Sequence, residues 1–484
     1  MFNNSHDTGQ FSTTDTVVPL GIFDEATLKR LTLIYTTFHF PGVLDAAKLR
    51  NSLELLIEKD GWNKLGARLR RNKKTGSLEH HIPVQFTRDR PAVRFHHARH
   101  DMAIKNHHVA SKFPTRTPEP AVMVDPNELQ SLWQGPNSPT ELRHYLERDE
   151  PQLGVFVASF NDATVISLSW PHSLFDAIGF GELLFAWSLM IQDRPNEIAK
   201  PLDAQLAPLA GLGLHSKEPH KLQESQLSWL SIVIFFCQTL IQVIFYKQKS
   251  RMLYVPGKVV QALHENANRE LAGSGVGQGT TNQYLTEGDV LSAWWAKVNV
   301  AHHSEHPHKV VHLANALGWR PSLANGVLPS GRPYLSNAVG IASVLLPARD
   351  VLASPLSHVA WEVRQSITEA RRPEQVEAYA ALWRRSPARL PPLFGDSTMH
   401  MVTCSNWSRA DLFRLDFSAA LADHDTAASP TELGRPSYVQ SCFRGVYLSN
   451  VMVIVGKDAH GGYWLTAFTS AKHWARIEQA ISKI

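Results

Sequence analysis

Cysteine is scarce in this sequence: Cys237, Cys404 and Cys442 stand far apart in 484 residues. An odd number with no CxxC pair argues against a disulfide framework or a zinc ribbon and fits a reducing compartment. Charge is sparse too, with 19% of residues charged and a formal net charge of +4. A nucleic-acid binder concentrates Lys and Arg on one face, so nucleic acid is not an expected partner. The densest basic run, Arg68-Leu69-Arg70-Arg71-Asn72-Lys73-Lys74, ends in Thr75-Gly76 and reads as a solvated hairpin turn. The opening MFNNSHDTGQFSTTDTVVPL lacks a basic n-region and an apolar h-region, so it reads as a polar tail and not a signal peptide. No GxSxG elbow is present, and no cysteine sits beside a strong basic cluster, so an activated serine or thiol is not expected. GSGVGQG, from Gly273, fails the GxGxxG pattern because Gln278 stands where the third glycine belongs; it reads as a flexible loop. No fixed-period repeat shows.

Hydrophobic residues make up 43%, enough to bury a large core or two ordinary ones. Leu49, Leu53, Leu56 and Ile57 recur on one face of a helix that Gly61 is placed to end. GVFVASFNDATVISLSW reads as two strands around an Asn161-Asp162 turn, followed by the helix AIGFGELLFAWSLMI. Thr286 and Asp289 stand at capping-box spacing before another helix. Helices and strands alternate irregularly, which favours α+β over a doubly wound fold. Histidine is abundant, at 24 residues. His302, His303, His306 and His308 form a clump without an acid or cysteine at zincin spacing; it reads as a polar surface loop, and no metal is expected.

Leu227 to Tyr246, LSWLSIVIFFCQTLIQVIFY, carries no charge and is followed at once by Lys247, Lys249 and Arg251. Its length suits a bilayer span. Its polar residues, Ser228, Ser231, Gln238, Thr239 and Gln242, fall in one arc of about 100° of the helix, which suits instead a helix in a membrane interface or one packed on its own domain. Packed in that way, its polar stripe would face water.

The sharpest signal is ISLSWPHSLFDAIGFGELLFAW, from Ile166. His172 follows the parity of Ile166, Leu168 and Trp170, so its ring should point inward. Pro171 keeps Trp170 extended, so the strand cannot wind directly into a helix. Asp176 is placed to cap the helix that follows. One reading is a buried histidine beside an N-cap aspartate. The other is a general base, since neutral imidazole can take the proton of an attacking alcohol near pH 7. Asp176 then either holds the local backbone, pairs with a cation, or orients the ring.

His172-Ser173-Leu174-Phe175-Asp176 resembles the HxxxD motif of the BAHD acyltransferases and their fungal relatives in secondary metabolism (trichothecene and meroterpenoid O-acetyltransferases). Leu415-Asp416-Phe417-Ser418-Ala419-Ala420 resembles the family's DFGWG element, with SNWSRADLF and GRPSYVQS like its flanks. LTEGDVLSAWWAKV, GRPYLSNAVG and the closing VGKDAHGGYWLTAFTSAKHW also resemble family segments, so the likeness runs from about Val18 to the end. Three departures stand out. Ala177 follows Asp176 where the plant pattern has Gly, and only Asp416 and Phe417 of DFGWG are kept. In ANALGWRPSL, where the family often has two arginines, only Arg320 remains, with Leu317 where another might be sought.

The resemblance implies a chloramphenicol-acetyltransferase-like α+β fold of two pseudo-equivalent domains with mixed sheets and an active-site channel between them. It implies His172 as the base, Asp176 as a structural or orienting residue usually held by an arginine, and direct transfer from acyl-CoA, most simply acetyl-CoA. Asp416 and Phe417 are then structural. Ser405 and Asn406, in VTCSNWSR, are candidates for oxyanion or acceptor contact. The expected acceptor is a hydroxyl of a hydrophobic terpenoid, meroterpenoid or alkaloid. The expected layout is a tail at 1–17, an N-terminal domain at 18–215, a crossover at 216–260 and a C-terminal domain at 261–484. A monomer is expected, cytoplasmic or peripherally bound to a membrane such as the endoplasmic reticulum surface. Two alternatives remain: an amine-acylating or condensation-type member of the superfamily, and a non-catalytic binding protein. Condensation domains favour a doubled histidine where this chain has Pro171-His172.

Overall fold

The computed structural model describes residues 15–274, 284–422, 429–445 and 449–482. Most of the polar tail lies outside these residues, and so does the glycine run from Gly275 onward. The last tail positions, Thr16 and Val17, begin a short strand, Thr16–Pro19, which pairs with Leu78–Ile82.

Two large sheets carry the molecule, an α+β arrangement in two domains. One sheet has five strands, in the order Tyr438–Gly445, Thr32–Phe40, Thr164–Pro171, Gly154–Ser159, Arg94–Arg99. The other has seven, in the order Val339–Pro347, Val310–Gly318, His400–Asn406, Val451–Lys457, Tyr463–Ser470, Gln248–Val255, Ala121–Val122. Both are mixed: His400–Asn406 runs parallel to its two neighbours, while most other pairs are antiparallel. The sheets do not divide the chain at a single point. Tyr438–Gly445, late in the sequence, pairs along its whole length with Thr32–Phe40.

The local patterns explain the elements. Asp45 caps the helix Ala46–Glu58, accepting from the amides of Ala47 (2.8 Å) and Lys48 (3.2 Å). Its residues Leu49, Leu53, Leu56 and Ile57 are fully buried in the core beneath the five-stranded sheet. Each such burial stabilises the fold by roughly 2 kcal/mol. Trp187, from the helix Ala177–Ile191, donates its indole N–H to Leu49 O (3.2 Å) and Ser52 Oγ (3.0 Å), joining the two helices. The Thr286–Asp289 capping box forms as its spacing indicates, and Asp289 also pairs with Arg364. The basic run forms the hairpin Arg68–Arg71 to Leu78–Ile82, but it is not wholly solvated. Arg68 and Arg70 are buried and pair with Asp149.

The uncharged stretch folds as the helix Trp229–Phe245. No helix among the described residues is long and apolar enough to cross a membrane. Its seventeen residues span about 25 Å at 1.5 Å each, short of a hydrocarbon core of about 30 Å. The reading of a packed helix with its polar stripe toward water is reversed. Gln238, Thr239 and Gln242 line a groove on the protein side. Trp229, Leu230, Leu240, Ile241, Ile244 and Phe245 are exposed. Only Ile232 and Phe235 of the helix are buried, packing with Leu390, Leu393 and Met399.

Candidate active site

A cavity of ≈320 Å³ lies between the two sheets. Thr32, Ile34, Ser441 and Phe443 of the five-stranded sheet border one side, and Ser250, Thr403, Ser405, Val453 and Phe468 of the seven-stranded sheet the other. Period-two alternation places Thr403 and Ser405 at the cavity while Cys404 between them enters the core. Ala316, Gly318 and Gly340 leave room along the wall. Its size suits a small organic ligand with few oriented polar groups.

His172 borders this cavity, just beyond the strand Thr164–Pro171. Its backbone is clamped from both sides. The amide donates to Thr32 O (2.8 Å), and the carbonyl accepts from Asn337 Nδ2 (2.9 Å). Asn337 is in turn fixed by Asp24, whose Oδ1 accepts from both its backbone and side-chain N–H groups at 2.7 Å. The imidazole Nδ1 is buried in the turn, where the backbone of His172 and Phe175 favours the charged ring without outweighing burial. Burial, then the positive charge of Lys29, lowers the ring's pKa to about 4. It is therefore neutral at pH 7, the state that can accept a proton.

Asp176 makes no hydrogen bond to that ring. Its Oδ1 accepts from the Gly179 amide (3.0 Å), capping the helix Ala177–Ile191. Its Oδ2 accepts from Arg320 Nη1 (2.8 Å) and the Ala338 amide (2.9 Å). Burial pushes the carboxyl upward, but Arg320 and the two amides outweigh it and hold it below the ordinary carboxylate value. Arg320 also donates to the carbonyls of Tyr334 (2.8 Å) and Ser336 (2.9 Å). Asp176 thus ties the turn after His172 to the segment that carries Asn337.

Lys29 is a second polar element of the wall. Its ammonium is buried, donates to Phe23 O (2.9 Å) and lies over the Trp383 ring. Burial lowers its pKa to about 8, against the opposing pull of Asp24 and Asp176. Lys64 lies behind, donating to Leu335 O and Ser336 Oγ. Asp24, Lys29 and Asn337 carry no functional signal of their own in the sequence. Only Asn337 lay in a segment that carried a signal, GRPYLSNAVG.

Ser405 and Asn406 border the same cavity as His172. Ser405 Oγ accepts from Trp407 Nε1 (3.0 Å), and Asn406 Oδ1 accepts from the Ser408 amide (2.9 Å). The Ser405 hydroxyl proton and the Asn406 amide N–H groups remain as donors. Asp416 and Phe417 lie outside the cavity wall. The Asp416 carbonyl accepts from Ser188 Oγ (2.7 Å), and Phe417 stacks on Phe40 and meets Trp187 edge-on.

The histidine clump departs from the surface-loop reading. His306 and His308 are exposed, but His303 is buried, and His302 and His303 gather with His400 and His473 in a second groove.

This geometry coincides with a sequence match. The profile of the transferase family matches residues 128–430, a span that holds both His172–Asp176 and Asp416–Phe417. The chain belongs to the BAHD transferase family. It is 35% identical to the protein named transcriptional regulator calD of Penicillium decumbens, over 97% of this chain and 95% of that one. It is 31% identical to acetyltransferase adrJ of Penicillium rubens, over 97% and 96%. Among solved structures, TRI101 of F. graminearum, complexed with coenzyme A and T-2 mycotoxin, shares the fold at a TM-score of 0.70. That match covers 96% of this chain and 97% of that one at 14% identity. The BAHD fold therefore extends through the described residues of both sheets.

Proposed function

We propose that this BAHD protein transfers an acyl group, most simply acetyl, from acyl-CoA to a hydroxyl of a hydrophobic secondary metabolite of terpenoid, meroterpenoid or alkaloid type. The observation that carries the reading is the neutral His172 imidazole on the wall of a largely apolar cavity, its backbone clamped from both sides. His172 takes the hydroxyl proton as the acceptor oxygen bonds to the thioester carbon. The carbonyl electron pair moves onto oxygen, where Ser405 or Asn406 donates to the oxyanion. Collapse expels the CoA thiolate, which takes the proton back from the imidazolium. Asp176 and Arg320 shape the turn that aims the ring and stay out of the proton transfer. The units at 18–215, 216–260 and 261–484 are then domains that exchange strands, Tyr438–Gly445 joining the first sheet and Ala121–Val122 the second. Acetyl-CoA incubated with hydroxylated terpenoids, followed by mass spectrometry and thiol release, tests it. Acetylated product with equimolar CoA supports it; amine products alone would support the amine-acylating alternative, and no transfer at all the binding-protein one.

The helix Trp229–Phe245 supports peripheral membrane attachment inside the cell. Its exposed face is apolar, with Phe245 75% exposed, and Lys247 follows it at the surface. Such a face suits an anionic bilayer surface, where greasy acceptors collect. Flotation with anionic vesicles tests this. Binding lost in an Ile241→Glu/Ile244→Glu variant supports it, and an unbound wild-type chain contradicts it.

A further inference from the structure

We propose that His302, His303 and His400 form a binding site for one imidazole-seeking divalent transition-metal ion, Zn²⁺, Ni²⁺ or Cu²⁺. The three come from two remote parts of the chain. His302 and His303 form the turn after the helix Glu287–Val300, and His400 opens the strand His400–Asn406. One ring nitrogen from each lies within 4.8 Å of the other two. His303 Nε2 and His400 Nδ1 are already 3.0 Å apart. An ion bound at 2.0–2.1 Å in tetrahedral geometry needs ligand separations of about 3.3 Å, so only a small rotation of the half-exposed His302 would complete the set.

The 3.0 Å contact by itself does not account for the cluster. His400 Nε2 remains buried without a partner, and so does Nδ1 of His473, whose ring stacks on His302 at 4.2 Å. Gln238 and Thr239 line the same groove as the three histidines. Among the described residues that line it there is no carboxylate, while Lys309 and Lys472 are present. That balance excludes hard, oxygen-seeking ions such as Mg²⁺ or Ca²⁺ and leaves metals that take neutral imidazole. None of the three histidines borders the cavity of His172. The ion would instead fix the start of the strand that carries Thr403, Ser405 and Asn406 to that cavity. This inference does not depend on the transferase reading.

The test uses the full chain without a histidine tag, stripped with EDTA and titrated with Zn²⁺ by calorimetry and with Co²⁺ by visible absorption. The expected result is one ion per chain, a tetrahedral Co²⁺ band and a higher melting temperature with Zn²⁺. Because His303 and His400 are buried, the main variant is the half-exposed His302→Ala, with His400→Gln second and folding checked by circular dichroism. His302→Ala should weaken binding at least tenfold, whereas His306→Ala/His308→Ala should leave it unchanged. No saturable binding by the wild type would overturn the proposal. Equal loss in the His306→Ala/His308→Ala control would overturn it too, since that marks adventitious binding by surface histidines.

Discussion

At the scale of single residues, the account rests on a base kept neutral by its surroundings. Lys29 contributes to that, and its effect has a definite sign. A nearby positive charge disfavours the imidazolium, so it lowers the pKa of His172, here to about 4 with burial as the larger cause. Wild-type kcat/KM should therefore stay flat from pH 8 down to 5.5. An imidazole at the ordinary value of 6.5 would keep about a tenth of its base form at pH 5.5. Lys29→Met removes the charge but not the burial, so it moves the acid limb upward from about 4 without restoring the ordinary value. A profile identical to wild type would show that Lys29 does not act on the base. Asp176 acts differently. Asp176→Asn removes the buried charge that pairs with the partly buried Arg320, so it should cost about 3 kcal/mol of stability, read by thermal denaturation, and also lower kcat. Loss of stability with kcat untouched would reduce Asp176 to a helix cap.

At the scale of elements, what could be read beforehand followed local periodicity. Leu49, Leu53, Leu56 and Ile57 marked a helix and its buried face, and all four are fully buried. The Asn161-Asp162 turn marked a hairpin, and its strands pair as expected. Elements whose partners are remote were opaque. Nothing local in YVQSCFRG says that it pairs with Thr32–Phe40, some four hundred positions earlier. The helix Trp229–Phe245 misled because an amphipathic pattern fixes which side is polar, not which side faces the protein. The clamp of Asp24 and Asn337 on His172 is invisible in sequence because it joins three segments by hydrogen bonds without spacing. The remnant of the second motif makes its own prediction. Phe417 fills the gap between Phe40 and Trp187, so Phe417→Ala should cost about 3–5 kcal/mol by denaturant unfolding. KM for acyl-CoA should barely change, because Phe417 does not border the cavity. A large rise in KM at unchanged stability would place it at the acyl-CoA site instead.

At the scale of the whole molecule, the abundance of histidine becomes a stability property. His312 and His220 are buried and have pKa values lowered to about 4, chiefly by burial. Their folded pKa lies below the unfolded value, so the unfolded chain binds more protons between the two. Their contribution is thus fully present above about pH 6.5 and is lost as pH falls toward 4. At pH 5 each such group removes about 2 kcal/mol, and His39, His172 and the cluster of His303 and His400 shift in the same direction. Against a typical total of about 5–15 kcal/mol, the sum predicts acid unfolding below about pH 5.5, under the range of the flat kinetic profile. Circular dichroism across pH 4–8 checks this; an unchanged spectrum and melting temperature at pH 4.5 would contradict it.

The central claim is that His172 is the base of an acyl transfer from CoA, and one paired assay reaches it most directly. Wild-type chain and His172→Ala, both shown folded by circular dichroism, are given acetyl-CoA and a hydroxylated terpenoid that the wild type acetylates. The account predicts an ester heavier by one acetyl group, with one CoA thiol released per turnover, and a kcat at least about 10²-fold lower in the variant. Turnover by folded His172→Ala at the wild-type rate would contradict it.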